Sequence, residues 1–189
     1  MDIELNTLLV ALMFVTILSM GIGNILVSLA DILNHATSSR LHRLHVWWIF
    51  LLLIVHLNLF WNTKAILDNP DWDFGGFLLA IAGPVLLYFA TSILLTTPEA
   101  DDRTDLFGFY RRLGGRFFVM FAAIQVWVLI TVYALSKAFH AVDAVNFAML
   151  LLALVLSRVE GSRAHVIGLA AACVLAVASW ALSWFSGAG

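Results

Sequence analysis

One feature of the chain cannot be folded into a water-soluble core: apolar stretches of roughly twenty residues, the length at which an α-helix crosses a bilayer core of about 30 Å, recur along its whole length. They fall near residues 5–33, 44–66, 74–97, 113–136, 140–158 and 164–185 of 189. Apolar residues make up 62% of the chain and charged ones 12%, against about 45 to 50% and about 25% in ordinary soluble domains, so the solvent of these stretches is hydrocarbon. Backbone groups in hydrocarbon must be satisfied within their own segment, which makes the stretches helices. The expected fold is all-α: a polytopic transmembrane helical bundle of about six spans forming a single domain over residues 1–189.

The connections are short and carry turn chemistry, as at Thr37-Ser38-Ser39, Asn69-Pro70-Asp71, Pro98 and Gly161-Ser162. Lys and Arg fix the orientation. Arg40, Arg43, Arg103, Arg111, Arg112, Arg116, Arg158 and Arg163 fall on one side, and only Lys64 and Lys137 on the other. The arginine-rich side is cytoplasmic by the positive-inside rule, and an even number of spans puts both termini on the outer, periplasmic side. Trp61, Trp72, Trp180 and Trp184 near outer ends, with Trp47, Trp48 and Tyr110 near inner ones, agree with that placement, since amphipathic rings favour the headgroup region. The expected location is a bacterial inner membrane. Asp2 and Glu4 ahead of the first span do not make the basic start of a cleaved secretory signal, so that span is expected to be retained.

The net charge of -2 leaves no electrostatic footprint for nucleic acid, and a lone Cys173 in an Ala-rich span permits neither an internal disulfide nor a cysteine cluster. The longest cytoplasmic connection, from Thr97 to about Leu113, turns from acidic (Glu99, Asp101, Asp102, Asp105) to basic (Arg111, Arg112, with Arg116 beyond) and is expected to be a solvated loop. With Arg40 and Arg43 its basic half forms a cytoplasmic face that attracts anionic headgroups at about 1 kcal/mol per residue.

Polar residues inside the spans carry the functional information. Asn24, Ser28, Asp31 and His35 form one helical stripe with Gly21 on its flank. An ionisable group in a span costs on the order of 2.5 to 3.5 kcal/mol, so the stripe is expected to face the bundle or a wet cavity. The bland alternative is that Asp31 reaches headgroup water or pairs with Arg40 or Arg43. The second span adds His42, His45 and His56 on one face and Asn58 and Asn62 on another, which predicts a central helix with polar contacts on two sides. His56 is the deepest titratable residue, and Gln125, Asn24 or a water are candidate partners for its ring. Three roles compete for these histidines: hydrogen-bond glue between helices, proton relay or pore lining with Asp31, and haem or metal ligation, for which His45 with His165 is the one cytoplasmic-side pairing. No cofactor is expected, haem included.

Gly83-Pro84 predicts a kink in the third span, with Thr91 and Ser92 below it satisfying backbone or lining a cavity. A shift of 69 positions lays Arg43-Leu44 on Arg112-Leu113 and His56 on Gln125, a weak hint that spans two and three repeat as spans four and five. No hydrolase, kinase, nucleotide or zinc motif stands at usable spacing, and catalysis is unsupported.

The Gly-bearing first helix with Leu26, Leu29, Ala30 and Leu33, the short basic linker, then Trp47-Trp48 and His56 ahead of Phe60-Trp61, resembles a group of uncharacterised bacterial multi-pass membrane proteins. The likeness extends through Trp72, Phe74 and Pro84 and covers about the first 115 residues. It implies a small inner-membrane protein and transfers no activity. The leading expectation is a homo-oligomeric channel or transporter that gives an ion or small solute a polar, proton-responsive pathway through Asn24, Ser28, Asp31, His35, His45, His56 and Gln125. The alternatives are a non-enzymatic subunit or sensor that binds another membrane protein or lipid through the basic face, and a b-type haem electron carrier.

Overall fold

The computed structural model describes residues 5–34, 43–64, 73–96, 106–159 and 161–186, and every regular element in them is an α-helix. In chain order these are α1 (Leu5–Asn34), α2 (Arg43–Trp61), α3 (Phe74–Leu94), α4 (Leu106–Ser136), α5 (Ala141–Leu156) and α6 (Ser162–Ser186). Four of them, α1, α3, α4 and α6, contain stretches long and apolar enough to cross a membrane. The other two are apolar but shorter. At 1.5 Å per residue, the 19 residues of α2 reach about 28 Å and the 16 of α5 about 24 Å.

Helix ends follow local chemistry more than hydropathy. The second span was expected to run to residue 66 but stops at Trp61, because polar side chains take over its last carbonyls. Asn62 Nδ2 donates to the Asn58 carbonyl at 2.8 Å, and the Thr63 hydroxyl and N–H both turn to the Phe60 carbonyl. Asn62 thus finishes its own helix. At the start of α3, Asp73 is the N-cap, its Oδ1 accepting from the Gly76 N–H at 2.6 Å. The helix then runs unbroken through Gly83 and Pro84, both buried. The basic half of the Thr97–Leu113 connection is not a loop. Helix α4 begins at Leu106, since a Leu-Phe-Gly-Phe-Tyr-Arg-Arg run holds apolar residues and good helix-forming arginines in helical register.

Packing divides the chain into two compact units, Met1–Leu95 with α1 to α3 and Thr96–Gly189 with α4 to α6. In the first, α1 packs most extensively on α3, and α2 lies against both. Its core is Val10, Phe14, Leu18 and Ile25 of α1, Ile49 and Leu52 of α2, and Leu87, Ala90 and Leu94 of α3. In the second, α5 packs against both α4 and α6. Phe117, Phe118 and Phe121 form a ring cluster there, and Leu156 of α5 lies so close to Gly168 of α6 that a side chain at Gly168 would overlap it. The hinted repeat matches neither unit, because it pairs the second helix of one with the first helix of the other.

Large apolar side chains stand exposed on every helix, among them Leu12 and Val27 of α1, Ile130 of α4 and Ile167, Val174 and Val177 of α6. So much exposed apolar surface is incompatible with water and costs nothing against acyl chains.

The α4–α5 connection is pinned by Lys137, whose N–H donates to the Tyr133 carbonyl at 2.9 Å with φ at 53°, and by stacking of Tyr133 on Phe139. A left-handed non-glycine residue costs roughly 1 to 2 kcal/mol. Lys137→Gly is therefore expected to raise the thermal midpoint in detergent micelles, by about 1 kcal/mol of stability. Lys137→Val is expected to lower it.

Candidate functional site

A side chain at mid-helix in hydrocarbon must satisfy its polar atoms from its immediate neighbours. His56 does so while fully buried, at 0% exposure. Its Nδ1 lies 2.9 Å from the carbonyl oxygen of Leu52, one turn earlier on α2. A carbonyl only accepts, so Nδ1 carries the proton and, in the neutral ring, Nε2 is a bare acceptor. That nitrogen faces Thr91 Oγ1 of α3 at 3.4 Å, a long contact. Thr91, itself buried, lies with its hydroxyl 2.9 Å from the Leu87 carbonyl and donates its one hydrogen there.

The third wall is α1. Gly21 abuts the imidazole so closely that a methyl group in its place would overlap Nε2 and come within 2.9 Å of Cδ2. Each helix of the first unit thus contributes one residue to a single contact: Gly21 from α1, His56 from α2 and Thr91 from α3. Leu18 and Ile25, each at 0% exposure, seal α1 above and below the glycine. The junction is filled with side chains and backbone.

The close approach of Gly21 fixes the roll of α1, and this decides where the polar stripe goes. The buried face runs through Leu18, Gly21 and Ile25. Ser28 lies half-buried near that line, whereas Asn24 and Asp31, roughly 60° and 80° off Gly21 at 100° per residue, are exposed. Asn24 and His56 therefore do not share one interior, and the stripe is the flank of α1. His35 and Arg40 lie outside the described residues.

Gln125 is buried, but in α4 of the second unit, and the partners recorded for His56 all come from the first. His45 is half-buried. His165 stacks on Phe118 with centroids 5.4 Å apart, and its Nε2 donates to the Val159 carbonyl at 2.9 Å. Asn58 and Asn62 are exposed, so the second polar face of α2 serves its own helix end. Of the basic face, Arg116 is exposed; for Arg43, Arg111 and Arg112 only the helical backbone is described. Among the described residues no group of three His, Cys, Asp or Glu stands close enough to hold a metal ion.

No family model, curated protein or solved structure matches the chain.

The contact between Gly21 and His56 is testable by a double-mutant cycle. Gly21→Ala alone is expected to lower stability by about 1 to 3 kcal/mol, the range for overpacking a filled core. In a His56→Ala background the added methyl enters vacated space, so its penalty should vanish or reverse. Additive effects in thermal unfolding would contradict the contact.

Proposed function

We propose that the chain is a small multi-pass protein of a bacterial inner membrane that gives an ion or small solute a polar, proton-responsive pathway. In this reading α2 and α5 complete six crossings, and both termini lie on the outer side. The Lys and Arg imbalance across the connections supports the orientation.

The observation that carries the reading is the bonding of His56. In the neutral ring, Nε2 faces a hydroxyl oxygen whose hydrogen points elsewhere, at Leu87. A proton added to Nε2 removes the conflict: the ring donates to Thr91 Oγ1, and Thr91 goes on donating to the Leu87 carbonyl. The hydrogen-bond chain is complete only in the doubly protonated ring. Among the described residues no acidic side chain is bonded to the ring, whose contacts are the Leu52 carbonyl, the Thr91 hydroxyl and Gly21. A buried cation without a partner is strongly unfavourable, and the three-helix junction relieves this by parting to admit water. Proton uptake at His56 is the trigger, and separation at the Gly21–His56–Thr91 contact is the response.

In proteoliposomes held at a series of pH values, flux of protons, monovalent ions or water should rise as the pH falls. His56→Gln should abolish that pH dependence while leaving a folded protein. Thr91→Val should weaken it. Absence of any such flux across the series would retire the pathway.

A second reading, a membrane subunit or sensor, is favoured by Asn24, a polar residue exposed between Met20 and Val27, which are also exposed. An amide facing lipid gains from a partner helix that bonds it. A second copy of the chain or another membrane protein would supply that helix, and Asn24→Leu should then lower the mass of the complex measured by native mass spectrometry in detergent.

A further inference from the structure

Among the described residues several helix hydroxyls bond back to their own helix, whereas Thr131 does not. Thr16, Thr91 and Ser92 each donate to the carbonyl four residues back on their own helix, at 2.7 to 3.0 Å. That is the ordinary way a membrane helix satisfies a hydroxyl. Thr131 of α4 does not: its Oγ1 is cut off from solvent and has no hydrogen-bond partner. The same is true of one oxygen of a carboxylate in the same helical hairpin. Asp143 of α5 is buried, its side chain 6% exposed. Its Oδ2 accepts from the His140 N–H at 2.7 Å and lies 3.8 Å from His140 Nδ1, while Oδ1 is buried with nothing bound to it.

An unsatisfied carboxylate oxygen inside an apolar unit is a strongly unfavourable arrangement unless something neutralises it. We infer that the α4–α5 hairpin holds a site for a small, hard monovalent cation of the sodium class, with Asp143 Oδ1 and Thr131 Oγ1 among its ligands.

The register of the hairpin permits this. Helix α4 ends at Ser136 and α5 begins at Ala141, and the two pack along each other. Thr131 then lies about 7.5 Å from its helix end and Asp143 about 3 Å from its own, a difference in depth of about 4.5 Å at 1.5 Å per residue. One cation with two oxygen ligands at about 2.4 Å spans such an offset. The carboxyl end of α4 and the amino end of α5 meet at this level, so their opposed dipoles offset and the carboxylate sets the sign of the field.

The ligand chemistry selects the ion. Both donors are oxygens, which excludes soft metals. One carboxylate with a neutral hydroxyl balances a single charge, whereas divalent ions are ordinarily held by several carboxylates. Among the described residues no group of three His, Cys, Asp or Glu exists to supply them.

The test is thermal unfolding of the purified full chain in detergent micelles, titrated with NaCl, LiCl or KCl against N-methylglucamine chloride at constant ionic strength. The expected result is a saturable rise in midpoint with NaCl or LiCl that N-methylglucamine does not reproduce. Asp143→Asn should abolish it. Thr131→Val should weaken the apparent affinity tenfold or more, with Thr131→Ser restoring it. If Asp143→Asn does not fold, the Val and Ser variants at position 131 decide the matter. Equal responses to all four salts, a response to calcium alone, a midpoint that follows pH but no cation, or an undiminished sodium response in Asp143→Asn would each overturn the site. His56→Gln should leave the sodium response unchanged, which separates this site from the pathway reading.

Discussion

A fully buried imidazole on an apolar helix must find its hydrogen bonds among its immediate neighbours. His56 finds one on its own helix, at the Leu52 carbonyl, and that bond fixes which nitrogen holds the proton. Much else in the first unit follows from it. The other ring edge is committed to α3, where Thr91 waits at 3.4 Å, and to α1, where only a glycine leaves enough room. The roll of α1, the burial of Leu18 and Ile25 and the exposure of Asn24 and Asp31 follow from letting Gly21 approach the ring.

The helical, membrane-embedded character of the chain was legible from apolar run length alone, because hydrocarbon leaves the backbone so few choices. The depth of His56 was legible too, as were Gly21 and Thr91 as polar or small positions worth watching. Their meeting was not. Helical spacing says which residues of one helix share a face, but not which face a neighbour covers. In α1 Gly21 lies on the buried face, while Asn24 and Asp31 of the polar stripe are exposed. Helix ends were misread where side chains decide them: Asn62 and Thr63 close α2 early, and the arginines of the supposed loop before residue 113 continue α4. The division into two units had no signature beyond the length of the acidic connection that precedes α4.

The two units handle polar atoms differently. In the first, hydrogen bonds link α2 and α3 through His56 and Thr91, and Gly21 of α1 packs against the ring. In the second, Thr131 Oγ1 and Asp143 Oδ1 are buried without a hydrogen-bond partner. Read as deficits of positive charge, as proposed above, these two arrangements would tie the stability of each unit to an ion in the surrounding solution. The deficits lie in separately packed units, so either can be removed by substitution while the other is measured.

The tautomer of His56 is the most direct test of the account. Nitrogen-15 NMR of the selectively labelled ring, with the protein in lipid nanodiscs at neutral pH, distinguishes a protonated Nδ1 from a protonated Nε2. Bonding to Leu52 predicts that Nδ1 carries the hydrogen and Nε2 is bare. A neutral ring with its hydrogen on Nε2 would contradict the geometry from which the proton-responsive junction is built.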